Sequence, residues 1–232
     1  MDCICLLTHD FKDEFINTLV KIDRDPNIKN FKVIVLFDTN NEYNISNQFE
    51  NIDIIKINRI SSSYDNYGHS MYINYFKQNY VSIKTYRYIW FIENDVYYPN
   101  SLITFINSHE AYNYDLLVSE YGTRSVNWCW TSSLKGFKHV SNIGVLAVIM
   151  RFSAELLLKL IDNIDKNYFG YLEAILPHIC IENNLTIHQF LPEMCGILTT
   201  DCNLPLLNLI RADIQQNTRY YTENKIYHPI KL

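Results

Sequence analysis

Residues 87–95 read Arg87-Tyr88-Ile89-Trp90-Phe91-Ile92-Glu93-Asn94-Asp95. The aromatic and branched run over 87–92 has the composition of a strand buried on both faces. It ends in two carboxylates one residue apart, and Val96-Tyr97-Tyr98-Pro99-Asn100 then turns the chain away. Open α/β sheets bind their ligands at the carboxyl ends of their strands. Hard cations take oxygen ligands, and an ion shared with a diphosphate needs only one or two protein carboxylates. The stretch therefore predicts an α/β fold with a divalent-cation site at the mouth of a central strand. The plainer alternative is a strand end with solvated acids at a turn.

The pattern on either side supports the fold. Residues 2–8, centred on Cys-Ile-Cys-Leu-Leu, predict a first buried strand. Phe11, Phe15, Leu19 and Ile22 recur at helical spacing and predict a helix over 11–22. Strands are predicted at 31–37, 52–57, 87–92, 115–119, 144–150 and 185–190. Helices are predicted at 67–81, 153–164 with Ser153 as cap, 172–182 and 204–215. Strand and helix alternate through the first half, which implies parallel pairing, helices on both faces and a mostly parallel central sheet. No internal repeat or composition shift divides the chain, so residues 1–232 read as one α/β domain whose second half adds an irregular layer.

The chain has 232 residues, 48% of them apolar, enough for one large core. A net charge of -5 and an isoelectric point near 5.8 argue against a nucleic-acid partner, which needs a basic face. The six cysteines (Cys3, Cys5, Cys129, Cys180, Cys195 and Cys202) form no CxxC pair. They read as reduced thiols, not a zinc site. The first strand starts at residue 2, with no signal peptide before it. The longest apolar run, 143–150, is too short to span a bilayer. The expectation is a soluble protein of a reducing, cytoplasmic compartment. No glycine-rich dinucleotide motif or P-loop occurs.

With these residues in view, the chain resembles nucleotide-sugar glycosyltransferases of the GT-A fold, which carry an acidic DxD-type motif after a mid-domain strand. Here that motif is Glu93-Asn94-Asp95, a departure at its first position. Two stretches are also similar to a group of GT-A-like proteins: the Trp-x-x-Glu-x-Asp-Val pattern at residues 90–96 and the tail Tyr227-His228-Pro229-Ile230-Lys231. The resemblance spans nearly the whole chain in element order, although its motifs cover few residues. It implies a Mn2+ or Mg2+ ion on the donor diphosphate, held by Asp95 first and Glu93 second, with His228 as a further ligand or phosphate contact. It implies a UDP-sugar donor and a glycan or glycoprotein acceptor, as in small viral or bacterial enzymes that decorate glycans, the former working in the host cytoplasm.

The resemblance also implies a base carboxylate at the start of the helix after the sixth strand. Glu173, behind Gly170, fits that place, and Glu120 is the alternative. An acid complementing the helix dipole explains Glu173 equally simply. Residues 1–100 would form the nucleotide-binding half and 101–232 the acceptor half and tail. The strand ends Thr8-His9-Asp10 and Asp38, with Glu93 and Asn94, are candidates to hold the nucleotide. Asp10 is also a candidate helix cap, and Asp38 a candidate Asx turn. Arg59 and Lys84 are cations that could meet phosphate, whereas Lys231 reads more simply as solvated. Trp128 and Trp130 are either an acceptor platform, since indoles stack on sugar rings, or a plug beneath a loop. Two rival readings are another metal-dependent nucleotide enzyme, such as a nucleotidyltransferase or phosphohydrolase, and a binding protein without catalysis.

Overall fold

The computed structural model describes residues 1–37, 48–57, 69–125, 128, 130–166, 168, 170–198, 210–212 and 225–230. In chain order its first half holds β1 (Asp2–Thr8), α1 (Asp13–Asp23), β2 (Phe31–Phe37), β3 (Ile52–Lys56), α2 (His69–Gln78), α3 (Tyr80–Ile83), β4 (Tyr88–Glu93) and α4 (Leu102–Ser108). Next come β5 (Leu116–Val118), β6 (Tyr121–Thr123), β7 (Ile143–Val145), β8 (Ile149–Ser153), α5 (Ala154–Asp165) and α6 (Leu172–Glu182). The last elements are β9 (Ile187–Gln189), β10 (Cys195–Leu198) and β11 (Ile226–His228).

Seven strands form the main sheet in the order β3-β2-β1-β4-β8-β5-β9, with β4 in the middle. Pairing is parallel except along β8, which runs antiparallel to both β4 and β5. Side chains alternate across the sheet as the pleat requires. Cys3, Cys5, Leu7, Ile34, Leu36, Ile89 and Phe91 pack on the face covered by α2, α5 and α6. Ile4, Leu6, Val33, Val35, Trp90 and Ile92 pack on the face covered by α1 and α4. A strand apolar at every position is thus explained by helices on both sides.

The expected sixth strand over 144–150 is corrected to two strands. Residues 143–145 pair with β6, while 149–153 join the main sheet. The run is apolar throughout, so its pattern hides the break. The backbone shows it: Leu146 N–H donates to Glu120 O at 3.0 Å, and Glu93 N–H donates to Val148 O at 3.1 Å. The helix expected over 11–22 starts at Asp13 behind Lys12, not behind Asp10. The helix expected over 67–81 divides into α2 and α3. Ser153 caps α5 as expected, accepting from Leu156 N–H at 3.1 Å. Of the helix expected over 204–215, only 210–212 lies among the described residues, and these are helical.

The antiparallel strand carries a buried charge that the sequence pattern did not single out. Arg151, 1% exposed, lies in β8 between Trp90 and Leu117. Its guanidinium donates to the carbonyls of His109 (3.1 Å), Tyr112 (2.6 Å) and Tyr114 (3.0 Å), and stacks 3.7 Å from the Tyr88 ring. It thereby closes the carboxyl end of α4 and the turn to β5. Burial lowers its pKa to about 10, against a raising pull from Tyr88 and Asp2, so it stays charged at neutral pH. Arg151→Met should leave these carbonyls unpaired in the core and cost about 3 kcal/mol or more in urea unfolding. Arg151→Lys should recover little, lacking the planar fork. A loss below about 1 kcal/mol in both variants would contradict this role.

Candidate metal centre

The chain builds outward from β1 to β2 and β3, then returns to place β4 on the other side of β1. Such a reversal of strand order opens a crevice between the carboxyl ends of the two strands. β1 ends at Thr8 and β4 at Glu93, which stands beside Leu7 in the register. Two side chains cross this crevice. The Asn94 amide donates to Thr8 Oγ1 at 3.2 Å, and that hydroxyl also donates to the Asp10 carbonyl. Thr8 is 1% exposed and Asp10 N–H returns a bond to its hydroxyl at 3.2 Å, which shapes the turn after β1. His9 is exposed at the tip of that turn, and Asp10 is half-buried.

Glu93 continues the row of Ile89 and Phe91 and so faces the layer that contains α6. Asp95 lies just beyond the strand. The third member of the group comes from the tail. His228 Nε2 is 3.1 Å from Glu93 Oε2 and 3.0 Å from Asp95 Oδ1, with His228 only 5% exposed. One ligand atom from each of the three lies within 4.8 Å of the others. Among the described residues, this is the one such group of three or more His, Cys, Asp or Glu.

The tail is held by its backbone. Tyr227 and Tyr97 exchange two bonds, at 2.8 and 3.1 Å, and Ile230 N–H donates to Asp95 O at 2.9 Å. β11 also pairs in parallel with β10, and Arg211 donates to Pro229 O at 3.0 Å. The strand that supplies His228 therefore also fixes the turn that supplies Asp95. Residues 226–230 are buried, and Lys231 lies outside the described residues.

Two carboxylates and one imidazole suit a manganese or magnesium ion, the imidazole favouring manganese. A proton on His228 places positive charge beside the two carboxylates. Burial works against charge on His228, but its bonds to Asp95 and Glu93 outweigh this and raise its pKa from 6.5 to about 9.

Glu173 lies in the first turn of α6 and is 9% exposed. Tyr72 on α2 is fully buried. Burial raises the Tyr72 pKa well above its ordinary value, with added contributions from Glu173, Cys5 and Glu93. Glu173 and Glu93 are thus within electrostatic reach of the same phenol. Glu120 pairs instead with Arg124, four residues on. Trp128 and Trp130 are both half-buried. The Trp128 ring lies over Gly144, where a Cβ would come within 2.2 Å of it, and Arg124 sits 5.6 Å from its centre. Trp130 stacks on Tyr171 at 5.4 Å, and Ser133 Oγ accepts from Tyr171 N–H at 3.1 Å. The aromatic segment is therefore fastened to the amino end of α6, two residues from Glu173.

Lys84 is corrected: it precedes β4, about 17 Å of strand away from the acidic end, and cannot meet a phosphate there. Asp38 and Arg59 lie outside the described residues. Cys3, Cys5, Cys180 and Cys195 are free thiols, while Cys129 and Cys202 are outside the described residues. No helix among the described residues is long and apolar enough to cross a membrane.

No protein-family model matches the chain, and no curated protein matches it. Among solved structures, the glycosyltransferase GlyE of Streptococcus pneumoniae TIGR4 and its apo-form are similar to it. Their identities are 14% and 13%, with TM-scores of 0.44 and 0.45. The similarity covers 99% of this chain and 54% of theirs, so the chain spans about half the length of those proteins. A likeness at this level says nothing of activity.

The raised His228 pKa sets a pH window. A proton bound more tightly in the folded state stabilises fully below about pH 6.5, and this contribution fades as pH rises to about 9. The metal-free protein should therefore lose thermal stability between these values, and His228→Ala should remove most of that slope. An unchanged slope in His228→Ala would contradict the contact.

Proposed function

We propose that the chain is a GT-A-like, metal-dependent glycosyltransferase. It moves a sugar from a nucleoside diphosphate, UDP by preference, to a hydroxyl of a glycan or glycoprotein. The observation that carries this reading is the group of Glu93, Asp95 and His228 at the carboxyl ends of β1 and β4. That is where a doubly wound sheet receives a nucleotide. Among the described residues there is one three-ligand group, which favours this reading over a phosphohydrolase that needs more ligands.

Glu93, Asp95 and His228 would hold a Mn2+ or Mg2+ ion, which supplies positive charge to the leaving diphosphate when bound. Residues 1–100 would form the donor half, with Thr8, His9, Asp10 and Asn94 bordering the nucleotide and Thr8 and Asn94 keeping the crevice in shape. Residues 101–232 would carry the acceptor, with Trp128 and Trp130 beside it. Glu173 then takes the proton of the acceptor hydroxyl as its oxygen attacks the anomeric carbon. The bond from that carbon to the diphosphate oxygen breaks, and its electron pair leaves with the diphosphate. Direct displacement inverts the anomeric configuration.

UDP binding measured by calorimetry should tighten when Mn2+ is added. Asp95→Ala should abolish that coupling while thermal unfolding stays cooperative. Equal coupling in both proteins would sink the metal assignment.

Glu173→Gln keeps the size of the side chain but removes the base. Transfer should fall on the order of a hundredfold or more, with UDP affinity almost unchanged. Proton NMR of the product should show an inverted linkage. A retained linkage, or a near-normal rate in Glu173→Gln, would remove Glu173 from this role.

A further inference from the structure

β10 and β11 pair out of step. Cys195 faces Ile226 and Leu198 faces His228, so β10 spends one more residue than β11 over the same span. This is a bulge, and it falls at Gly196 and Ile197. Tyr227 lies directly across it. A Cβ on Gly196 would come within 2.3 Å of Tyr227 Cε1, 2.6 Å of Cδ1 and 2.8 Å of Cζ. The Tyr227 ring thus occupies the space that any other residue at position 196 would need. The ring is 5% exposed and packs with Ile210 and Ile230 in a small apolar cluster joined by Tyr97 and Ile197.

Successive residues of a strand face opposite sides, so a slip of one position turns every side chain over. With Tyr227 seated on Gly196, its neighbour His228 faces Glu93 and Asp95. With the tail slipped by one residue, His228 would face away. We infer that Gly196 and Tyr227 are positioning residues that fix the register of the tail and thereby seat His228 in the metal group. The inference rests on His228 being a ligand, as proposed above. Neither residue touches the ion; both act through the strand that carries its histidine.

The test is Mn2+ binding to the full chain without donor, followed by the electron paramagnetic resonance signal of the free ion. His228→Ala should weaken Mn2+ binding. Gly196→Ala should weaken it about tenfold or more, the usual effect of disturbing a residue behind a ligand. Tyr227→Ala, which removes the ring without adding atoms, should weaken it as well. Gly196→Ala added to Tyr227→Ala should change affinity less than about twofold further, because the ring it would strike is gone. Additive losses, or Gly196→Ala binding Mn2+ like the wild type while His228→Ala does not, would overturn the inference. If Gly196→Ala fails to fold, unchanged affinity in Tyr227→Ala alone overturns it. Wild-type affinity in His228→Ala would instead overturn the ligand assignment itself.

Discussion

The rest of the site depends on the contact of His228 with Glu93 and Asp95, at 3.1 and 3.0 Å. Two carboxylates one residue apart at a strand mouth repel each other and attract a cation. A protonated His228 imidazole meets that demand, and under the proposed reading a divalent ion would meet it instead. The tail is the part of the chain that delivers the imidazole. Its backbone bonds to Tyr97 and Asp95 are what make that delivery compatible with a fixed acidic turn.

The contact exists because β4 lies beside β1. The chain lays down three parallel strands to one side, then crosses to the other, and the crevice at that crossing gathers Thr8, Asn94 and Glu93. The pleat then settles sides. Glu93 shares a face with Ile89 and Phe91, and α6 covers that face. Glu173 at the head of α6 therefore belongs to the layer on the same face of the sheet as Glu93. Topology and alternation bring these groups together from distant parts of the chain.

Much of this was legible in the sequence where one physical signal dominated. β1 and β2 carry the unbroken apolar runs 3–7 and 33–37, and α6 is bounded by a glycine before and polar residues after. All three match their expected ranges. Where two partners share one run, the pattern fails: residues 143–150 carry no charged or polar side chain, although 143–145 pair with β6 and 149–150 with β4. Asp10 resembled a helix cap because caps are read from residue type, but its backbone was already engaged by Thr8. Arg151 gave no signal, because a buried arginine is recognised only by the carbonyls around it. Glu93, Asp95 and His228 were legible as chemistry, through local motif and resemblance. Their meeting was expected through the resemblance alone; the Tyr97 pairing and the bulge at Gly196 that deliver His228 depend on contacts far apart in sequence.

Anomalous diffraction from crystals grown with Mn2+ and UDP tests the central claim most directly. The account predicts one strong manganese peak bounded by Glu93, Asp95 and His228, with the diphosphate of UDP on its open side. A peak elsewhere, or UDP bound while His228 remains ion-paired to both carboxylates with no manganese between them, would contradict it.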